Sequence, residues 1–306
     1  MSKTRSQNLS VSVRERLLHL SKEKREDFTL TLTRYAIERL LFRLAQSTHR
    51  DRFVLKGALL FAIWLERPHR PTRDLDLLAY GDSSATALKD HFRDICQFEV
   101  VDDGLFFDPT SIRIEPIREV QAYDGQRVRL SAHLAKARIN LQVDIGCGDA
   151  VIPTETSIEY PTLLEFPAPR LQAYPPEAMI AEKLHAMVSL GFVNSRMKDF
   201  YDVWTLSKEL PFDGNDLVHA IAATFARRQT DLPADLPLAL TEGFAADNEK
   251  VTLWRAFVSR NRLDTGQIEF AQVIDDLRGF LRPPLTALAT HATFDQKWPQ
   301  GGPWRL

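Results

Sequence analysis

Two aspartates one residue apart, Asp74 and Asp76, stand seventeen residues beyond a Lys56-Gly57 step. Side chains alternate faces along an extended strand, so these two carboxylates point the same way while Leu75, Leu77 and Ala79 point to the other face, towards a core. Mg²⁺ prefers oxygen ligands and is held by one or two carboxylates together with phosphates and water, so such a pair on a rigid strand can hold a metal–nucleotide complex. The bland alternative is a solvated strand face, the commoner fate of an isolated Asp-x-Asp. No other Asp-x-Asp occurs in the chain.

The stretch Phe53 to Trp64 reads as a short strand, a glycine turn and an apolar helix. A glycine at a helix start lets backbone N–H groups approach an anion, and the helix dipole adds positive potential for phosphate. Lys56 adds a mobile charge, and Gly57 and Ala58 complete the turn. Read without the aspartates, Gly57 only makes the chain turn. A third carboxylate comes from residues 137–145, where Ile139, Leu141, Val143 and Ile145 alternate with Asn140, Gln142 and Asp144. If this strand neighbours the first, Asp74, Asp76 and Asp144 converge, enough to place one or two Mg²⁺ ions and activate a hydroxyl. Alone, Asp144 is a turn-initiating residue before Gly146-Cys147-Gly148.

Two helices carry further candidates. Pro175-Pro176-Glu177 is a helix start, after which Ile180, Leu184 and Val188 form an apolar stripe with Lys183 at its edge, between Met179 and Met187. A lysine so placed reaches into a partly desolvated site or snorkels to water. On the next helix Asp199 and Asp202 share a face with Lys198 and Leu206, either as site residues or as helix-dipole partners. Basic groups lie around these motifs: Arg67, His69, Arg70 and Arg73 before the aspartate pair, Arg127, Arg129, Lys136 and Arg138 on strands, Arg196 and Lys198 at the last motif. They suit a triphosphate or an RNA backbone, or a solvated charged face.

The elements that must position these groups begin after a frayed end, residues 1–9. Helices are expected around Val13 to Leu20 and from Arg25 to Ala45, then Ser84 to Phe98. Strands are expected at 106–116 and within 127–145, followed by a proline-punctuated connector at 156–169. Helices follow at 177–190, 198–209, 216–228, 251–260 and 267–281, and residues 283–306, with Trp298 and Trp304, dock on the protein without forming a helix. The expected fold class is α+β: a mixed sheet with flanking helices over residues 1–173, then a mainly helical domain over 174–306, with the site in the cleft where they meet.

At 306 residues, 44% hydrophobic and 26% charged, the composition is that of a soluble globular protein. Two cysteines, Cys96 and Cys147, make neither a disulfide framework nor zinc-ligand spacing, which implies a reducing compartment. No apolar run reaches the roughly 18 residues needed to span a bilayer, and the polar start lacks a signal-peptide core. A cytoplasmic protein without a membrane partner is expected. A net charge of -2 argues against a strongly basic nucleic-acid coat.

From about Phe53 to Leu206 the chain resembles the AbiEii/AbiGii-type toxin nucleotidyltransferases, a MenT-like branch of the DNA polymerase β-like superfamily. Lys56-Gly57-Ala58 with Asp74-Leu75-Asp76 is similar to its first motif, Glu182-Lys183-Leu184-His185-Ala186 to its third, and Asp199-Phe200-Tyr201-Asp202 to its fourth. The superfamily usually has Ser where Ala58 stands, which removes a hydroxyl and leaves phosphate contacts to backbone amides. The resemblance implies an enzyme moving NMP from an NTP to an acceptor hydroxyl with Mg²⁺ (or Mn²⁺), with RNA, at the tRNA 3′ end, as acceptor and a separately encoded antitoxin as partner. It implies Asp74, Asp76, Asp144, Lys183 and Asp199 as catalytic, the first three as metal ligands. Lys56, Gly57, Ala58, Arg73, Lys198 and Asp202 are the expected nucleotide contacts. Two rivals stay open: a small-molecule nucleotidyltransferase, and a non-catalytic NTP-binding protein of the same fold.

Overall fold

A computed structural model of the chain describes residues 3–66, 69–117, 125–149, 151–263, 265 and 268–306. Arg67, one of the basic residues noted above, lies outside them. The chain divides into two compact units, Met1–Gly148 with Thr156–Ala173, and Asp149–Glu155 with Tyr174–Leu306.

The first unit is built on a mixed seven-stranded sheet of order β3-β4-β5-β2-β1-β7-β6. Its strands are β1 (Phe53–Lys56), β2 (Asp74–Ala79), β3 (Leu105–Ile117), β4 (Gly125–Leu134), β5 (Ala137–Cys147), β6 (Thr156–Glu159) and β7 (Arg170–Ala173). Period-two alternation sets the buried face: Leu75 and Leu77 on β2, Leu141, Val143 and Ile145 on β5, and Val128 and Leu130 on β4 are all buried. Helices α1 (Lys3–Glu23), α2 (Phe28–Gln46), α3 (Phe61–Trp64) and α4 (Ala85–Gln97) complete the unit. Helix α2 starts at Asp27, whose carboxylate accepts the Leu30 N–H at 3.0 Å. Its apolar positions are buried as expected, but so are Glu38, Arg39 and Arg43. Arg43 forks onto Asp103 at 2.7 and 3.1 Å, and Glu38 accepts the Leu163 N–H at 2.7 Å. Burial pushes the Glu38 carboxyl up to about 7.

In this first unit four expectations are overturned. Residues 3–9 continue α1 and are not a frayed end. The helix expected after Gly57 is one 3-10 turn, Gly57–Leu60, followed by the four residues of α3, too short to build a macrodipole. The connector at 156–169 opens with strand β6. Lys136 sits in the β4–β5 turn and not on a strand.

The second unit holds α5 (Pro176–Leu190), α6 (Met197–Glu209), α7 (Gly214–Arg227), α8 (Glu242–Ala245), α9 (Asn248–Asn261) and α10 (Phe270–Ala289), with a small pair of strands β8 (Phe212–Asp213) and β9 (Lys297–Trp298). An aromatic cluster of Phe200, Phe244, Phe270 and Trp254 fills its core, with ring centroids 5.3 to 6.0 Å apart. Helix α10 runs on through Pro283 and Pro284 instead of stopping at 281. A proline at 284 leaves the Phe280 carbonyl without its helical donor; the Trp304 indole supplies one at 2.8 Å. Trp298 donates to Ser207 O at 2.7 Å, so the end of the chain docks as expected.

Candidate active site

Strand register brings the sheet's acidic residues together. Lys56 on β1, Asp76 on β2, Asp144 on β5, Arg127 on β4 and Glu115 on β3 are successive cross-strand partners. Residues so paired share a face, with neighbouring strands roughly 4.8 Å apart. Two residues along, Asp74, Gln142, Arg129 and Arg113 form a second row. Asp74, Asp76 and Asp144 therefore lie on one face of adjacent strands: alternation sets the face and strand pairing the adjacency. Asp74 is exposed and Asp76 half-buried.

Gly57 has φ +75°, and a Cβ built on it would fall 2.1 Å from Asp76 Oδ2. The turn backbone thus lies directly over this carboxylate, which only glycine allows. Lys56 is partly exposed beside it. Arg73 is exposed on the approach to β2, 3.8 Å from Asp27.

Asp144 is engaged. Arg127 donates from Nε to Oδ1 and from Nη2 to Oδ2, each at 2.8 Å. Gln142, with its amide oxygen turned to the guanidinium, accepts from Nη2 at 3.3 Å and Nε at 3.2 Å. The hydrogen bond to Asp144 raises the Arg127 pKa above its ordinary value, against some desolvation and with help from the charges of Asp144, Asp74 and Glu115. Among the described residues no group of three or more His, Cys, Asp or Glu is placed to hold a metal ion. The oxygen donors of Asp74 and Asp76 nonetheless suit Mg²⁺, which needs one or two protein carboxylates.

The helical unit holds a second cluster. Lys183 on α5 reaches Asp199 Oδ1 and Asp202 Oδ2 on α6, both at 2.8 Å, and Arg196 Nε donates to Asp199 Oδ2 at 2.6 Å. Both aspartates are 0% exposed and the Lys183 side chain 14%. This lysine does not snorkel, and the aspartates are not helix-dipole partners at a surface. Burial alone would raise the Asp199 carboxyl, but Lys183 and Arg196 outweigh it and hold it below the ordinary value. Lys198, next in sequence, is exposed.

His185, on α5 two residues after Lys183, is not singled out by the sequence pattern. Arg228 donates from Nη1 to His185 Nδ1 at 3.2 Å and from Nη2 to Asp149 Oδ1 at 3.3 Å. A guanidinium only donates, so Nδ1 carries the lone pair and Nε2 the proton, facing Thr230 Oγ1 at 2.9 Å. Burial, then Arg228, lowers its pKa to about 4, so the ring is neutral near pH 7. The Arg127 pairing was also missed, although a signal for it exists: Arg127 and Asp144 each lie eight residues from the Ala135-Lys136 turn, which puts them opposite one another.

The family model described as nucleotidyl transferase AbiEii toxin, type IV TA system, matches residues 39–280. Comparison with curated proteins gives no match. Among solved structures the chain is similar to a candidate nucleotidyltransferase from H. pylori, at 16% identity over 83% of this chain and 89% of that one, with a TM-score of 0.45. It is also similar to JHP933 from Helicobacter pylori, at 17% identity over 83% and 87%, with a TM-score of 0.43. No helix among the described residues is long and apolar enough to cross a membrane.

Proposed function

The chain belongs to the AbiEii nucleotidyl transferase toxins of type IV toxin–antitoxin systems, and we propose that it moves NMP from an NTP to an acceptor hydroxyl on RNA, the tRNA 3′ end. The observation that carries this reading is the pair Asp74 and Asp76 on one strand face, with the Gly57 backbone seated on Asp76. Asp74 and Asp76 would hold Mg²⁺ (or Mn²⁺), with Asp144 as the third oxygen donor of the set. The metal, when bound, supplies positive charge beside the phosphate oxygens.

The protein's own groups do the rest. Lys56, the Gly57 and Ala58 amides, Arg73 and Lys198 are assigned to the nucleotide. Asp144 orients the acceptor hydroxyl and takes its proton as the oxygen attacks the α-phosphorus; the bond to the β-phosphate breaks and pyrophosphate leaves. Lys183 offsets the negative charge that develops on the phosphate, and Asp199 and Asp202 hold its ammonium in position. Fixed charges of this kind carry most of phosphoryl-transfer catalysis. Toxicity would be restrained by an antitoxin encoded separately.

Purified protein incubated with each α-labelled NTP, Mg²⁺ and total RNA should label RNA, and an Asp76→Asn variant should not. Label on an aminoglycoside or metabolite with none on RNA would replace the acceptor. Absence of transfer from every NTP to every acceptor would leave a nucleotide-binding protein without turnover.

A further inference from the structure

Arg127 flanks Asp144 on the side away from Asp76 and brings a cation to this face of the sheet. Asp76 and Asp144 are strand partners with their carboxylates on the same face, and two like charges so close repel. The Arg127 fork engages both oxygens of Asp144 at 2.8 Å, and its charge also acts on Asp74. Planar two-point pairing of this sort is strong and directional. It is not sealed: the Arg127 and Asp144 side chains are 30% and 22% exposed, so another partner can reach either one. Polyphosphate is the other anion that a guanidinium fork fits.

We propose that Arg127 is a positioning residue that holds Asp144 away from the metal in the nucleotide-free protein, and passes to the triphosphate when the nucleotide arrives, releasing Asp144. This rests on the nucleotidyl-transfer reading above and adds an order to it. A divalent cation alone must displace a guanidinium from Asp144 and binds weakly. A cation arriving with a triphosphate brings the anion that takes Arg127 over, so metal and nucleotide bind cooperatively. Asp144 is then available as a base only once substrate is present.

The test reads metal binding, not turnover. Mn²⁺ is titrated into the full-length protein and free Mn²⁺ is followed by electron paramagnetic resonance, with and without an NTP analogue that cannot release pyrophosphate. Arg127→Gln should bind Mn²⁺ about tenfold more tightly than wild type without nucleotide, within the usual range for coupled sites. The gain should vanish in Arg127→Gln/Asp144→Asn. Arg129→Gln removes the same charge from the neighbouring row and should change affinity less than about twofold. The analogue should tighten Mn²⁺ binding in wild type, and less so in Arg127→Gln. Should that variant fold poorly, Arg127→Lys, which keeps the charge without the fork, should show a smaller gain in the same direction. Unchanged or weaker Mn²⁺ binding in a folded Arg127 variant, or an equal gain in Arg129→Gln, would overturn the proposal. These outcomes do not depend on NMP transfer, so failure of the transfer assay would be seen separately.

Discussion

The two acidic clusters solve opposite problems. On the sheet, Asp74 and Asp76 project from a strand face, and Asp144 keeps 22% exposure even when bound by Arg127. In the helical unit, Asp199 and Asp202 have no exposure and share one lysine. Alternation along a strand leaves one face open, so carboxylates there can exchange partners. Helices packed on several sides close around theirs, and a charge so enclosed must keep its partner. The first arrangement suits groups that bind and release a substrate. The second suits a charge held in one place, which is the role assigned to Lys183.

The comparison can be broken at several points. Asp74→Ala or Asp76→Ala should lower NMP transfer by on the order of 10³-fold, while stability to urea shifts by only about 0.5 kcal/mol. A large loss of stability would mean that the sheet carboxylates are structural too. Lys183→Met takes away the ammonium that two buried carboxylates share, so it should destabilise the fold by about 3 kcal/mol as well as reduce activity. Equal stability to wild type in that variant would remove the contrast. Gly57→Ala combines a positive φ with a Cβ 2.1 Å from Asp76 Oδ2; about 2 kcal/mol of stability should be lost and transfer should fall with the displaced carboxylate.

The smallest effect concerns His185. Its pKa lies at about 4 in the folded protein against an ordinary 6.5, so the unfolded chain takes up the proton first. Stability therefore falls as pH drops below about 6.5 and levels off below about 4. Between pH 7 and 5.5 the loss should be about 1 kcal/mol, and His185→Gln should flatten that slope. An unchanged slope would show that the ring does not titrate as placed.

Much of the sheet site is legible in the sequence because it depends on a local rule. Alternation alone puts Asp74 with Asp76, and Asp144 with Gln142 and Asn140. Which strands are neighbours, and therefore that Asp76 faces Asp144, is a long-range outcome that periodicity does not carry. The Arg127 fork is intermediate, since counting back from the Ala135-Lys136 turn finds it. The helical cluster is hidden for a different reason. The pattern places Lys183 at the margin of an apolar stripe, but burial of Asp199 and Asp202 on a different helix decides whether that margin is wet. The same holds for Glu38, Arg39 and Arg43 on α2, polar residues buried by partners 60 or more positions away. Helix α10 runs through Pro284 with Trp304, beyond the helix, satisfying the Phe280 carbonyl.

The strand-face aspartates are proposed to carry nucleotidyl transfer. The most direct test of that role is the initial rate of pyrophosphate release with NTP, Mg²⁺ and RNA, measured for wild type and Asp76→Asn preparations of matched melting temperature. Acceptor-dependent release by wild type and a fall on the order of 10³-fold in the variant are expected. Equal rates from the two proteins would contradict it.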